Sequence, residues 1–391
     1  MRDFWMVPTL LTLRSSTQLL KWMGPWSSEK QRPTRVKQRA VQISPQKPGQ
    51  RPLEAWVYTP EGERPFGAIL LAPGLFPDGP EDRRLDRICR ILAAAGNVVL
   101  IPFLPDYMAL RLTAEVSEDT DRAFEKLLEQ PECPPDVRPG IFSISFGSLP
   151  ALRVASAPHR AAQVGGVMVF GGYADWQETM HFTFTGEMNG KRLNAFDPTN
   201  QPVVFMNLLE QITDLKVDPE VLLTTWRKFA LATWGQPAQK ARYKDVAREL
   251  AHQVPEEGRE LFLIGCGAEP GGYELAMKLL AQARRDYLDP RLHLKNLQCP
   301  VCLIHSRDDD VIPVNQLDKL VEAMPPHVKV TTYLTGAFRH DGGRDQGSKT
   351  LTPEFFREMM SQAGILYNFS QLGLRRGPRN VVDTTRQQGS L

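Results

Sequence analysis

Residues Arg138–Ser156 read RPGIFSISFGSLPALRVAS. The run GIFSIS suits a buried strand, and from Leu149 onward the apolar residues fall at helical spacing. Between the two stand Ser145 and Gly147, with a further small residue at Ser143. A nucleophilic hydroxyl has to stand exposed at the end of a sheet, close to a base and to backbone donors for the developing oxyanion. A strand-to-helix turn meets all three needs. Such a turn is tight, so the positions two before and two after the serine must be small, which is the origin of the pattern G-x-S-x-G. Here the string is S-I-S-F-G, with Ser143 in place of the first glycine. The following helix would also point its N-terminus at the site, where unpaired N–H groups favour negative charge. The same residues also read as a plain helix start with Ser145 as its N-cap. The pentapeptide alone does not separate the two readings; its partners must.

Working outward, TRVKQRAVQI and LEAWVYTP alternate polar and apolar residues as a hairpin with one wet face would. GAILLAPG is a continuous apolar run, the mark of a strand covered on both faces in a parallel sheet. A helix is predicted over Asp82–Ala95, ended by Gly96, then a strand at NVVLIPF, a helix over Ser117–Leu128, the strand at GIFSIS, a helix over Leu149–Ala157 and a strand at VGGVMVFGG. This alternation calls for right-handed crossovers and an open α/β sheet. It stops at Gly172. From Tyr173 to about Leu288 only the short LFLIGCG resembles a buried strand, whereas PEVLLTTWRKFALATW and GGYELAMKLLAQARRDYL carry helical periodicity. The sheet pattern resumes with CPVCLIHSRDDDVIP, a helix over Gln316–Ala323, a strand at VKVTTYL, the loop TGAFRHDGG and a helix over Pro353–Ala363. The division expected is an N-terminal arm with the first strand (1–50), a core in two parts (51–172 and 291–365), a helical insertion (173–290) and a mobile polar tail (366–391).

The turn at Ser145, the strand ends LIHSRDDDVIP and VKVTTYLTGAFRHDGG, the loop LLAPGLFPDG and the β/α alternation between them resemble the α/β-hydrolase superfamily across approximately Leu53–Gly172 and Leu297–Gly364. The likeness has the flavour of its dienelactone-hydrolase-like and acyltransferase/thioesterase-like branches, and the insertion resembles nothing we can name. It implies a mostly parallel central sheet flanked by helices, with a mostly helical cap inserted after the sixth family strand. It also implies a triad in the chain order Ser, acid, His. LIHSRDDDVIP resembles the motif H-G-x-x-D-x-x-V-P, and aligning its end with Ile312-Pro313 puts the acid at Asp309; the later loop would deliver His340 as base. The oxyanion donors implied are the backbone N–H groups of Phe146 and Leu75, with Pro73-Gly74 where many members have His-Gly.

Each partner has a plainer reading. Asp308, Asp309 and Asp310 could form a solvated turn or hold a hard cation, although adjacent residues cannot all converge on one ion. His305 is a rival base, but it belongs to the strand that precedes the acid. Tyr173, Trp176, Phe182, Phe184, Trp226, Phe229 and Trp234 could line an apolar pocket or build the insertion's own core, and His181 is an ordinary histidine.

Bulk properties narrow the field. At 42% hydrophobic and 24% charged residues, the 391-residue chain is ordinary for a globular protein and excludes disorder over most of its length. Its 47 basic and 45 acidic side chains leave a net charge of +2, which gives no footprint for nucleic acid. Five scattered cysteines make no disulfide framework, and the C-x-x-C of Cys299 and Cys302 leads into a strand rather than opening a helix. A reducing, cytoplasmic setting is expected, with no cofactor and no metal. The N-terminal arm, broken by Pro8 and Arg14, is too short to span a bilayer. Its Trp, Leu and Met residues with Arg14 and Lys21 could suit an interfacial helix, but packing on its own domain is favoured. The expected activity is a serine hydrolase on an ester or thioester of an apolar acyl or aromatic small molecule. A catalytically silent binding or scaffold protein, and an acyltransferase using the same triad, are the alternatives, since fold does not fix the acceptor. Substrate and oligomeric state are not legible.

Overall fold

In the computed structural model, residues 9–24, 26–28, 30–193, 196–283, 286–336 and 353–377 are described. Ten strands occur among them: β1 (Val36–Ile43), β2 (Leu53–Pro60), β3 (Gly67–Ala72), β4 (Asn97–Pro102), β5 (Gly140–Ile144), β6 (Gly166–Phe170), β7 (Glu187–Met188), β8 (Lys191–Arg192), β9 (Val301–Ser306) and β10 (Val330–Thr335). Eight form one sheet in the order β1-β2-β4-β3-β5-β6-β9-β10. β1 and β2 pair antiparallel to each other, and β2 antiparallel to β4. All remaining neighbours are parallel.

Every residue of β3 and β4 is buried, because both sheet faces are covered. Ala68, Leu70 and Ala72 pack with Val98, Leu100 and Ile141 under the helices Glu115–Leu128, Ser148–Ser156 and Gln316–Ala323. Their alternates Ile69 and Leu71 pack with Val99, Ile101 and Phe142 under Arg83–Ala94, Pro353–Leu372 and the N-terminal helix Thr9–Met23. This is the period-two division that a strand with two dry faces imposes. Leu19 is fully buried on that second face, so the N-terminal helix packs on its own domain. Among the described residues, no helix is long and apolar enough to cross a membrane.

β3 pairs with β4 on one side and β5 on the other. The chain therefore steps outward after β3 and returns across it, opening a crevice at the carboxyl ends of β3 and β5. Between β6 and β9 it leaves the sheet for a succession of helices and the β7–β8 hairpin. These helices have their own core around Phe205, Trp226, Phe229 and Phe262.

Three expectations are corrected. LFLIGCG forms no strand; it lies in the helix Glu256–Gly265, where Trp226 Nε1 donates to the Phe262 carbonyl at 3.1 Å. A short apolar run carries no periodicity long enough to tell helix from strand. The last helix does not stop at Ala363 but runs to Leu372. Nor does a mobile tail begin at residue 366, since Phe369, Leu372 and Leu374 are buried and Phe369 lies 4.8 Å from the Phe142 ring, edge to face. Beyond the helix the chain crosses the sheet's amino-terminal edge, with Ala68 N–H donating to the Gly373 carbonyl at 2.9 Å and Arg138 N–H to that of Arg375 at 2.8 Å. The core thus extends through residue 377. The five cysteines are buried and form no disulfide, and burial pushes the Cys299 and Cys302 thiols up to about 12.

This packing makes Phe369→Ala a core truncation, expected to cost about 3 kcal/mol of unfolding free energy, read from urea denaturation of the full chain.

Candidate active site

β5 ends at Ile144, a 3-10 turn takes Ser145–Gly147, and the helix Ser148–Ser156 follows directly. Ser145 has φ +55°, a left-handed conformation that costs an L-residue roughly 1–2 kcal/mol. The surroundings hold it there. A Cβ on Gly147 would lie 2.3 Å from the Ala72 carbonyl oxygen and 2.6 Å from that of Pro73, while its φ of −61° suits any residue. Glycine is required here by the closeness of β3. Ser143 is fully buried, sits in register between Ala72 and Val169, and donates from Oγ to the Met168 carbonyl at 3.4 Å. A side chain two atoms long fits where the usual pattern has none, and its hydroxyl is satisfied.

The loop after β3 presses on the same turn. A Cβ on Gly74 would meet the Ile144 carbonyl oxygen at 2.8 Å and Ser145 Cβ at 2.9 Å, so backbone lies against backbone. Leu75 lines the crevice beside Ser145 and Phe146. Phe146 stands in the first turn after the strand, where N–H groups have no intrahelical acceptor. Its carbonyl accepts from the buried Tyr107 hydroxyl at 2.9 Å, and its ring packs against Tyr173 and Trp176 at centroid distances of 5.3 and 5.9 Å.

Three consecutive aspartates after β9 meet different fates. Asp308 is exposed, Asp309 is buried and Asp310 is half-buried. Asp309 Oδ1 accepts the backbone N–H groups of Val311 at 3.0 Å and Ile312 at 2.9 Å, and its Oδ2 lies 3.4 Å from His305 Nε2. His305 is buried with Nε2 2.9 Å from the Ile312 carbonyl, which requires that nitrogen to carry the proton. It braces the acid loop and does not line the crevice. Asp310 faces the inserted helices, where Lys240 Nζ bridges it at 3.2 Å and Asp197 at 2.8 Å. Burial alone would lower the Lys240 pKa, but the two carboxylates outweigh it and hold the ammonium above its ordinary value. Among the described residues no group of three His, Cys, Asp or Glu side chains is arranged to hold a metal ion. His340 lies outside the described residues.

Ser145, Leu75, Phe146 and Asp310 line a cavity of about 630 Å³. The core supplies one wall, and Trp176, Met180, Val203, Val204, Leu231 and Trp234 from the inserted segment supply the other. Of the aromatic residues singled out in the sequence, Trp176 and Trp234 face this cavity. Phe182, Trp226 and Phe229 are fully buried within the inserted segment, and the Tyr173 hydroxyl donates to the Leu288 carbonyl at 2.8 Å. His181 stands beside the Tyr273 hydroxyl at 3.2 Å, away from the cavity lining. Tyr107, Asp197 and Lys240 escaped the sequence reading because no local pattern marks them; each takes its place at the site through a partner far along the chain.

If the turn stores strain, a residue free of the left-handed penalty should recover it. Ser145→Gly is expected to be about 1 kcal/mol more stable than Ser145→Ala, measured by chemical denaturation of the two variants side by side.

No protein-family profile matches the sequence, and no curated protein matches it. Similar solved structures include the acylaminoacyl peptidase of Pyrococcus horikoshii, 15% identical over 88% of this chain and 42% of that one, with a TM-score of 0.48. An esterase of Pyrococcus furiosus is 12% identical over 86% and 92% of the two chains, with a TM-score of 0.45. The dienelactone hydrolase of Anabaena variabilis is 13% identical over 87% and 100%, with a TM-score of 0.42. The chain spans less than half the length of the peptidases it resembles. With its strand order, its antiparallel second strand and the strand-to-helix turn after β5, the chain has the α/β-hydrolase fold.

Proposed function

We propose that the protein is a serine hydrolase acting on an ester or thioester of an apolar acyl or aromatic small molecule, with Ser145 as nucleophile, Asp309 as acid and His340 as base. The observation that carries this reading is Ser145 itself: a non-glycine residue held at φ +55° in the wall of a 630 Å³ cavity. A helix N-cap needs no such strain. N-caps take extended backbone on the strand side of the first turn, whereas Ser145 is left-handed and lines the crevice. The strain has to be maintained by neighbours, and strain of this kind gathers at functional sites.

In this reading the Ser145 hydroxyl attacks the acyl carbonyl carbon while His340 takes its proton. The N–H groups of Leu75 and Phe146 meet the negative oxygen, and the proton passes to the departing alcohol or thiol. Water then gives a proton to the same imidazole as its oxygen attacks the acyl carbon, and the imidazole passes that proton to Ser145 Oγ as the acid leaves. Asp309 suits the orienting role because two backbone N–H groups hold one carboxylate oxygen fixed. The substrate class follows from the wall: Phe76, Trp176, Met180, Val203, Val204 and Trp234 offer apolar and aromatic surface of drug-molecule size. The inserted helices act as a cap over the serine, tied down at one edge by the Lys240 bridge between Asp197 and Asp310.

A fluorophosphonate probe is expected to label the wild type covalently and to leave Ser145→Ala unlabelled. Hydrolysis of p-nitrophenyl esters of graded chain length should fall by about 10³-fold or more in that variant. An unlabelled wild type that cleaves no ester or thioester in the series would overturn the proposal in favour of a silent binding protein.

A further inference from the structure

A second concavity of about 1150 Å³ lies between the helix Glu115–Leu128, the end of the helix Ser148–Ser156 and the turn Pro290–Asn296. It shares no lining residue with the cavity at Ser145. Its charges are unequal. Lys47, Arg122, Arg153, Arg160 and Lys295 stand against Glu118, Asp121 and Glu125, with His159 and His293 beside them. All three carboxylates are taken: Glu118 by Lys47, Asp121 by Arg160 and His159, and Glu125 by Arg160. Arg122 pairs with Asp119 behind the wall. Among the described residues, Arg153 and Lys295 have no carboxylate partner.

Arg153 is the telling one. Its guanidinium is half-buried, and of its five N–H donors one reaches a protein acceptor, Nη1 to the Tyr287 carbonyl at 3.3 Å. Burial pulls its pKa below the ordinary arginine value, with no carboxylate to restore it. A partly desolvated charge with no counter-charge is a cost to the folded state. Its neighbours are unsatisfied too. Ser156 is buried and its Oγ finds no hydrogen-bond partner; the same holds for Ser117 Oγ and His293 Nε2, all three in the lining. Ala114, also in the lining, caps the 14-residue helix Glu115–Leu128 with no side-chain acceptor for its first N–H groups. Arg153 and three polar atoms without partners therefore belong to the lining of one cleft, drawn from three elements, and the cleft's carboxylates are spent on other cations.

We propose that this cleft is a second ligand site, separate from the hydrolytic one, for a small molecule that presents an oxyanion to Arg153, with Ser117, Ser156 and His293 as the accompanying polar contacts. A phosphate and a carboxylate share the required chemistry: planar or tetrahedral oxygens that the guanidinium fork engages through two parallel hydrogen bonds.

The test uses the full chain, with thermal unfolding and calorimetric titration against inorganic phosphate and, separately, citrate, each compared with chloride at equal ionic strength. Saturable binding is expected for at least one of the two anions, with dissociation constants on the order of 1 mM or below, and the anion that saturates identifies the headgroup class. Binding should weaken at least about tenfold in Arg153→Met and persist in Ser145→Ala. Should Arg153→Met fail to fold, the pair Arg153→Lys and Ser156→Ala replaces it, each expected to weaken binding. No saturable response to either anion beyond chloride overturns the proposal. So does equal affinity in the Arg153 and Ser156 variants, or loss of binding in Ser145→Ala alone.

Discussion

Everything around the crevice depends on how closely three backbone segments approach one another at the end of β5. The carbonyls of Ala72 and Pro73 come within 2.6 Å of where a Cβ on Gly147 would stand, and Gly74 leaves no room between its own backbone and Ser145. Two glycines and one small buried serine make a contact that larger residues would push apart. That contact holds Ser145 in a conformation it would not choose alone. The same approach sets Leu75 and Phe146 beside the serine in the wall of the cavity.

The acid loop uses the opposite device. Where the serine turn is fixed by steric exclusion, Asp309 is fixed by hydrogen bonds: the backbone N–H groups of Val311 and Ile312 on one oxygen, and a buried histidine that donates to the Ile312 carbonyl. A buried carboxylate without such donors would be costly. His305, a candidate base by composition, is consumed in building the loop that carries the acid. Asp310, next in the chain to Asp309, pairs with Lys240 of the inserted helices, so two adjacent carboxylates serve the core and the insertion respectively.

Much of this was legible in the sequence where the signal is periodic. Runs such as GAILLAPG and VVLIPF are apolar because both faces of β3 and β4 are dry, and the helix Gln316–Ala323 falls where its spacing placed it. Legibility failed where an element's length or role is set by what lies across from it. The last helix continues past Ala363 because Phe369 and Leu372 find a place against Phe142 and Gly140 on the sheet. The residues just after it, 373–375, show no period, yet the Gly373 and Arg375 carbonyls accept N–H groups at the amino-terminal ends of β3 and β5.

The sequence by itself determined the two-sided burial of the strands, the crossover alternation and the small residues around Ser145, because these follow from side-chain size and from periods of 2 and 3.6 residues. Which of three aspartates is buried, which aromatics face the cavity and which fill the helices between β6 and β9, and the joining of Lys240 to Asp197 and Asp310 were decided only by tertiary structure. Those outcomes depend on distances between residues tens to hundreds of positions apart, and no local pattern encodes a distance of that kind.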